Sequence, residues 1–135
     1  MNYWLVKSDP ETYSWNDLVR DKKTSWDGIR NYAARNHLKN MKEGDKLLVY
    51  HSGGESEVVG LAHVTKEFFH DPTAAPSEDW VTIELQADRS LSQSVTLKEI
   101  KLHPVLKNMV LVKISRLSVS PVTKEEYELI LSLGE

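Results

Sequence analysis

The stretch Thr24-Ser25-Trp26-Asp27-Gly28-Ile29-Arg30-Asn31 carries the side-chain types that a nucleobase site needs. An indole in so polar a setting is either a plug packed beneath a loop or a platform on which a base stacks. Gly28 allows a tight turn, and Arg30 can meet a phosphate. Asn31 can cap a helix or read a base edge with its paired donor and acceptor. A helix starting at Asn31 would also turn unpaired N–H groups toward an anion. Along that helix Arg35, Lys39 and Lys42 follow i, i+4, i+7 spacing. Residues 30–46 set Arg30, Arg35, Lys39, Lys42 and Lys46 against only Glu43 and Asp45. A second window sets Lys98, Lys101, Lys107, Lys113 and Arg116 against Glu99. These windows are either ordinary solvated faces or, if they share one side of the molecule, a basic stripe for a phosphate backbone.

Other chemistries find less in the chain. There is no Gly-x-Ser-x-Gly elbow, no phosphate-binding P-loop and no Gly-x-Gly-x-x-Gly. Gly53-Gly54 reads as a turn. The histidines His37, His51, His63, His70 and His103 form no helical i, i+4 pair around a Glu, so no metal site is expected. Asp71 and Glu78 flank a proline-rich loop and read as a solvated loop edge rather than as two catalytic carboxylates. No cofactor is expected.

Composition sets the outer bounds. A chain of 135 residues suits one domain, 1–135, burying roughly 65–70% of the surface its unfolded form exposes. The net charge of -3 excludes a uniformly basic binder but leaves room for a local basic face. With no cysteine, disulfides and thiol catalysis fall away. The N-terminal residues lack a signal-peptide pattern, and no apolar run approaches the ~20 residues that span a bilayer. A soluble cytoplasmic protein without membrane contact is expected, nuclear if the source is eukaryotic.

The elements that must position these side chains can be read in order. Tyr3–Lys7 reads as a strand. Ser14 caps a short helix with Asp17 three residues on, and a polar stretch from Asp21 to Gly28 follows. Asn31 caps a helix whose apolar stripe is Ala34, Leu38 and Met41, with Gly44 suited to its C′ position. Strands are expected over Lys46–Ser52, Glu57–Val64, Trp80–Leu85 and Val110–Ile114. Capping-box spacing at Thr96/Glu99 and Thr123/Glu126 starts two further helices, the last running through Leu131. The pattern implies α+β, with a curved or barrel-like sheet and helices at its ends.

Four segments together resemble the EVE domain family of the PUA-like superfamily. They are Tyr3-Trp4-Leu5-Val6-Lys7-Ser8-Asp9-Pro10, Trp26-Asp27-Gly28-Ile29-Arg30-Asn31-Tyr32-Ala33-Ala34-Arg35-Asn36, Gly44-Asp45 with Tyr50-His51-Ser52, and Arg116-Leu117-Ser118-Val119-Ser120-Pro121-Val122. The resemblance covers nearly the whole chain in order. It implies a pseudo-barrel of mixed, mostly antiparallel strands surrounded by helices, with a pocket for a modified base flipped from DNA or RNA. Carried over, that pocket draws on Lys7, Ser8, Trp26, Asn31, Tyr50, His51, Ser52, Arg116 and Ser118, while Arg30, Arg35, Lys39, Lys42 and Lys113 hold the backbone. The chain departs from the family pattern at Asp9 (usually Glu), at His70-Asp71-Pro72 (usually Pro-Asp-Pro) and at Ser120 (often Gln).

The resemblance thus implies a non-catalytic reader of a modified cytosine or adenine, working alone or beside a separately encoded effector protein. The alternative is a small hydrolase of the ASCH type acting on modified nucleosides, with Lys7 near Ser8 and Asp9 as its base. A third possibility is a protein-interaction module with an empty pocket.

Overall fold

A computed structural model describes residues 1–135. The order is β1 (Tyr3–Ser8), α1 (Trp15–Asp21), β2 (Lys23–Ser25), α2 (Tyr32–Asn40), β3 (Lys46–His51), β4 (Glu57–His70) and β5 (Val81–Thr96). Then come α3 (Leu97–Leu102), a 3-10 turn (Leu106–Asn108), α4 (Val110–Lys113), β6 (Val119–Val122) and α5 (Lys124–Leu133). The architecture is α+β: one six-stranded sheet in the order β2-β5-β4-β3-β1-β6, with β1 and β3 parallel and every other pairing antiparallel. No helix is long and apolar enough to cross a membrane.

Strand alternation gives each face of the sheet its own core. Trp4 and Val6 of β1 and Leu47 and Val49 of β3 join Trp15 and Leu18 of α1, Ala34 and Leu38 of α2, and Trp26 in the first core. Leu5, Leu48 and Tyr50 face the other way, into a second core with Ile100, Leu106, Met109, Leu111, Tyr127 and Ile130. The long strands β4 and β5 serve both cores because bulges switch their parity. On β5, Ile83 and Leu85 face the first core. The partners of Leu61 and Ala62 then jump from Arg89 to Ala87, leaving Asp88 extra, and beyond it Leu91 and Val95 face the second core. On β4 the extra residue is Val59, between the partners of Val49 and Tyr50. At this bend the Trp15 indole lies against Gly60, where an added Cβ would come within 2.4 Å of its ring carbons. The indole Nε1 donates to Ser90 Oγ at 2.7 Å.

The three capping boxes form as their spacing predicts, with Ser14, Thr96 and Thr123 each paired reciprocally with the acid three residues on. Several expectations are corrected. Val110–Ile114 is not a strand: Val110–Lys113 is the short helix α4, because Leu111 buries into the second core and no strand partner runs beside it. The terminal strand is β6 instead, an edge strand that tolerates Pro121. The polar stretch Asp21–Gly28 contains β2, paired with β5 through Thr24 and Leu85. The strand expected to stop at Leu85 runs on to Thr96, and the last helix reaches Leu133. Gly44 is not the C′ residue of α2. That helix ends at Met41, and Gly44, at φ +91, forms the turn into β3 with its N–H donating to Val64 O at 2.8 Å. Beside it, buried Asp45 accepts from the Asn2 and Lys42 N–H groups and from the Trp4 indole N–H at 3.0 Å.

Candidate functional site

Strand parity decides which of the expected side chains meet. Adjacent residues on a strand point to opposite faces, so Lys7 turns toward the second core and Ser8 toward the first. The Lys7 amine stands 5.7 Å from the Tyr50 ring centroid and donates to Ser115 O at 2.7 Å. Burial lowers its pKa below the usual lysine value. Ser115 lies between Lys113 and Arg116, both exposed, so these cations border the Lys7 end of the molecule. Ser8 donates its hydroxyl to Tyr13 O on the opposite side. The ends of β1, β3 and β6 converge there, with Lys7 N–H donating to Ser118 O and Ser52 N–H to Ser8 O, both at 2.9 Å. His51 also faces the first core and accepts the Trp15 N–H at Nε2, 2.9 Å away. A backbone N–H can only donate, so this ring is neutral with its proton on Nδ1. Burial lowers its pKa, opposed by nearby Glu57.

Ser8, His51 and Trp26 therefore share one side of the sheet, while Lys7 and Tyr50 belong to the other. Tyr13 links Ser8 to Trp26: its ring meets the indole edge-on at 6.3 Å, and its hydroxyl donates to Asp21 at 2.8 Å. Of the two readings of Trp26, the plug describes this structure. The residue is 7% exposed within the first core, and it lines none of the main surface cavities. One of these, about 280 Å³, lies beyond Ser8 between Asp9, Glu11 and Glu55. Asn31 is exposed and acts as the cap, its Oδ1 accepting the Ala34 N–H at 3.0 Å.

The Trp26–Asn31 loop is held by a residue expected to be a solvated loop edge. Asp71 is fully buried. One carboxylate oxygen accepts the Gly28 N–H at 2.7 Å and Arg30 Nη1 at 3.1 Å; the other accepts the Thr73 N–H at 2.7 Å and its hydroxyl at 2.6 Å. Burial alone would raise its pKa, but the donors from Thr73, Gly28 and Arg30 outweigh it and bring the value down to about 2. Glu78 is exposed and merely caps the Ala75 N–H, so the two acids do not act together. Gly28, at φ +83, adopts the left-handed turn that brings its N–H to Asp71.

Arg30 carries the network outward. Its Nη2 donates to Thr73 Oγ1 at 3.0 Å, and its guanidinium lies 5.6 Å from the Trp80 ring centroid. Trp80 O accepts the Asp71 N–H at 2.8 Å. Tyr32, next after Asn31, stacks on Trp80 with centroids 5.2 Å apart and planes 25° apart. Arg35 and Lys39 both pair with Asp79, and Lys42 approaches Glu67 at 3.8 Å. The two basic windows do not form one stripe, since α2 packs on the first core and α3, with Lys98 and Lys101, on the second. Sequence reasoning missed Tyr13, Tyr32, Asp71 and Trp80. The Asp71-Pro72-Thr73 run carried a usable signal, because an aspartate that accepts the N–H two residues on is a common turn device.

Comparison with known proteins identifies the family and the fold. The EVE domain family matches residues 2–133. Human thymocyte nuclear protein 1 is 35% identical over 99% of this chain and 74% of its own length. A structure of the human protein in complex with 5-methylcytosine-containing DNA superposes with a TM-score of 0.92 at 34% identity, covering 100% of this chain and 98% of that one. A protein from Agrobacterium tumefaciens superposes with a TM-score of 0.96 at 40% identity, covering 99% and 93%. An ASCH protein from Zymomonas mobilis, 11% identical with a TM-score of 0.61 over the full length of both chains, shares the fold alone. The chain belongs to the EVE domain family.

Proposed function

We propose that this protein binds nucleic acid and reads 5-methylcytosine in DNA, taking the modified base against Trp26 and Asn31. The observation that carries the reading is the full-length likeness to a relative bound to 5-methylcytosine-containing DNA. Asn31 supports it, because the cap uses only its oxygen and leaves the amide N–H groups for the acceptors on a cytosine edge. Phosphates approach from the Arg30 and Arg35 side, since Asp9, Glu11 and Glu55 repel them at the other mouth.

Extruding a base costs a few kcal/mol. Stacking on Trp26 returns about 1–3 kcal/mol, less the cost of swinging aside the Tyr13 edge now packed there. One buried methyl adds about 0.8 kcal/mol, roughly a fourfold preference. Stronger discrimination has to come from polar groups left unpaired by the wrong base, foremost Asn31 and Ser8. The hydrolase reading finds less support: the Lys7 amine is engaged by Ser115 O, the Ser8 hydroxyl by Tyr13 O, and Asp9 accepts the Glu11 N–H.

Fluorescence anisotropy with methylated and unmethylated DNA oligonucleotides tests the reading, with matched RNA as a further arm. Because Trp26→Ala risks unfolding the core, the decisive variant is Asn31→Ser, which keeps the cap and removes the amide. It should keep its Tm yet lose about tenfold in affinity for methylated DNA. Equal binding of methylated and unmethylated oligonucleotides by the unaltered protein would reject the base reading. Nucleoside turnover that Lys7→Ala abolishes would replace it with the hydrolase.

A further inference from the structure

Beside the loop that carries Asn31 lies a surface that the base site does not use. Tyr32 is 68% exposed, and one face of its ring is stacked on Trp80. The Arg35 guanidinium is 5.0 Å from the Tyr32 centroid and 5.7 Å from that of Trp80. With the two rings 5.2 Å apart, these distances form a nearly equilateral triangle. A guanidinium on the outer face of Tyr32 would stand about twice as far from Trp80 as the rings stand from each other. Arg35 therefore lies beside the stack, and the outer face of Tyr32 is open to solvent. Arg30, held by Asp71 and Thr73, places its guanidinium 5.6 Å from the Trp80 centroid. The result is a supported aromatic face, one residue along the chain from Asn31 and flanked by cations.

We infer that Tyr32 is a second stacking station, taking an unpaired nucleobase next to the base being read. The occupant follows from the charges. A flat, open aromatic face with Arg30, Arg35 and Lys39 around it suits a base and its phosphate. Asp79 stands where that phosphate would go: it pairs with Lys39 at 2.7 Å and with Arg35 at 3.5 Å, and its side chain is 65% exposed. The carboxylate is the exposed member, against 19% for Arg35 and 30% for Lys39, so it can leave to water while a phosphate takes its place on two cations already held at the surface of α2. Asp79 is thus a built-in counter-anion that lowers non-specific affinity. The inference rests on the proposed nucleic-acid reading and adds a station outside the base site.

The test uses anisotropy titrations of the intact protein with methylated and unmethylated oligonucleotides whose target base lies beside an unpaired neighbour. Tyr32→Ala should weaken both by about tenfold and leave their ratio unchanged, since a flanking station does not touch the modification. Tyr32→Phe should restore binding, because stacking needs the ring and not the hydroxyl. Asp79→Asn should tighten binding several-fold at low salt and steepen its salt dependence. Unaltered affinity in Tyr32→Ala, or a weaker Asp79→Asn, would overturn the station while the methyl preference of the unaltered protein still stood. If that preference is absent but the Tyr32→Ala loss remains, the base reading fails and the station stands. No binding of any oligonucleotide at low salt rejects both.

Discussion

Replacing Asp71 by asparagine tests whether one buried carboxylate holds the Trp26–Asn31 loop. The folded pKa of about 2, against an ordinary 3.8, measures how much better the fold stabilises the charged form than water does. At 1.36 kcal/mol per unit, the depression corresponds to about 2 kcal/mol at neutral pH. Asparagine also turns an NH2 toward donors, either the Gly28 and Arg30 pair or the Thr73 pair, and an unmet buried donor costs about 1–3 kcal/mol more. These effects overlap, so the expected loss is about 3 kcal/mol, or roughly 10 °C in Tm for a chain of this length. Because the folded pKa is depressed, the carboxylate's contribution is fully present above about pH 5 and fades as pH falls toward 2.

Urea unfolding followed by circular dichroism at pH 7 and at pH 3 measures both quantities. The gap between the unaltered protein and Asp71→Asn should narrow at the lower pH. A gap under about 0.5 kcal/mol at pH 7, or one that does not change with pH, would refute the argument. DNA affinity should fall in parallel, because Gly28 and Arg30 lose the acceptor that sets the loop.

Three further outcomes are expected. Gly60→Ala should destabilise by about 2 kcal/mol or more in chemical denaturation, since its Cβ would stand 2.4 Å from the Trp15 ring and the indole is itself tied to Ser90. Ser120→Ala should be neutral or stabilising by up to about 1 kcal/mol in the same assay, because the Ser120 hydroxyl is buried with no partner. Global stability should fall between pH 7 and pH 5: the depressed His51 and His37 values favour neutral rings, so their contribution is complete above the unfolded value near 6.5 and lost as pH drops through the lower folded values. His51→Gln should remove part of that slope in thermal melts, leaving the share of His37.

What the sequence made legible was local. A capping box spans three residues and needs no tertiary partner, and all three form. The Asn31 cap with its Ala34–Leu38 stripe forms for the same reason. The bulges at Val59 and Asp88 were not legible, because each is defined only by the register of a neighbouring strand. The tetrad Met109-Val110-Leu111-Val112 fits a strand or a helix equally by its apolar content, and packing against the second core decided it. Asp71 shows the same limit at the site: its turn is local, but the Gly28 and Arg30 that make it important lie more than forty residues earlier.

Parity also limits what a base pocket in this fold can contain. Lys7 and Ser8 belong to the family motif as neighbours, yet as neighbours on β1 they must face opposite cores, and the contacts of each bear this out. Both can border one bound base only at the end of the strand, where the sheet stops separating the faces. The junction of Lys7, Ser8, Ser52 and Ser118 is such an end. Trp26 reaches it from the first-core side through Tyr13, whose half-buried ring packs edge-on against the indole and whose hydroxyl bonds Asp21. The fold thus keeps Trp26 in its core, and on the proposed reading Tyr13 is the piece that must move. On the proposed reading, base affinity is set by the difference between two stacks on one indole, Tyr13 or the base. That difference is small, so the cations and the exposed ring around Asn31 must supply most of the binding.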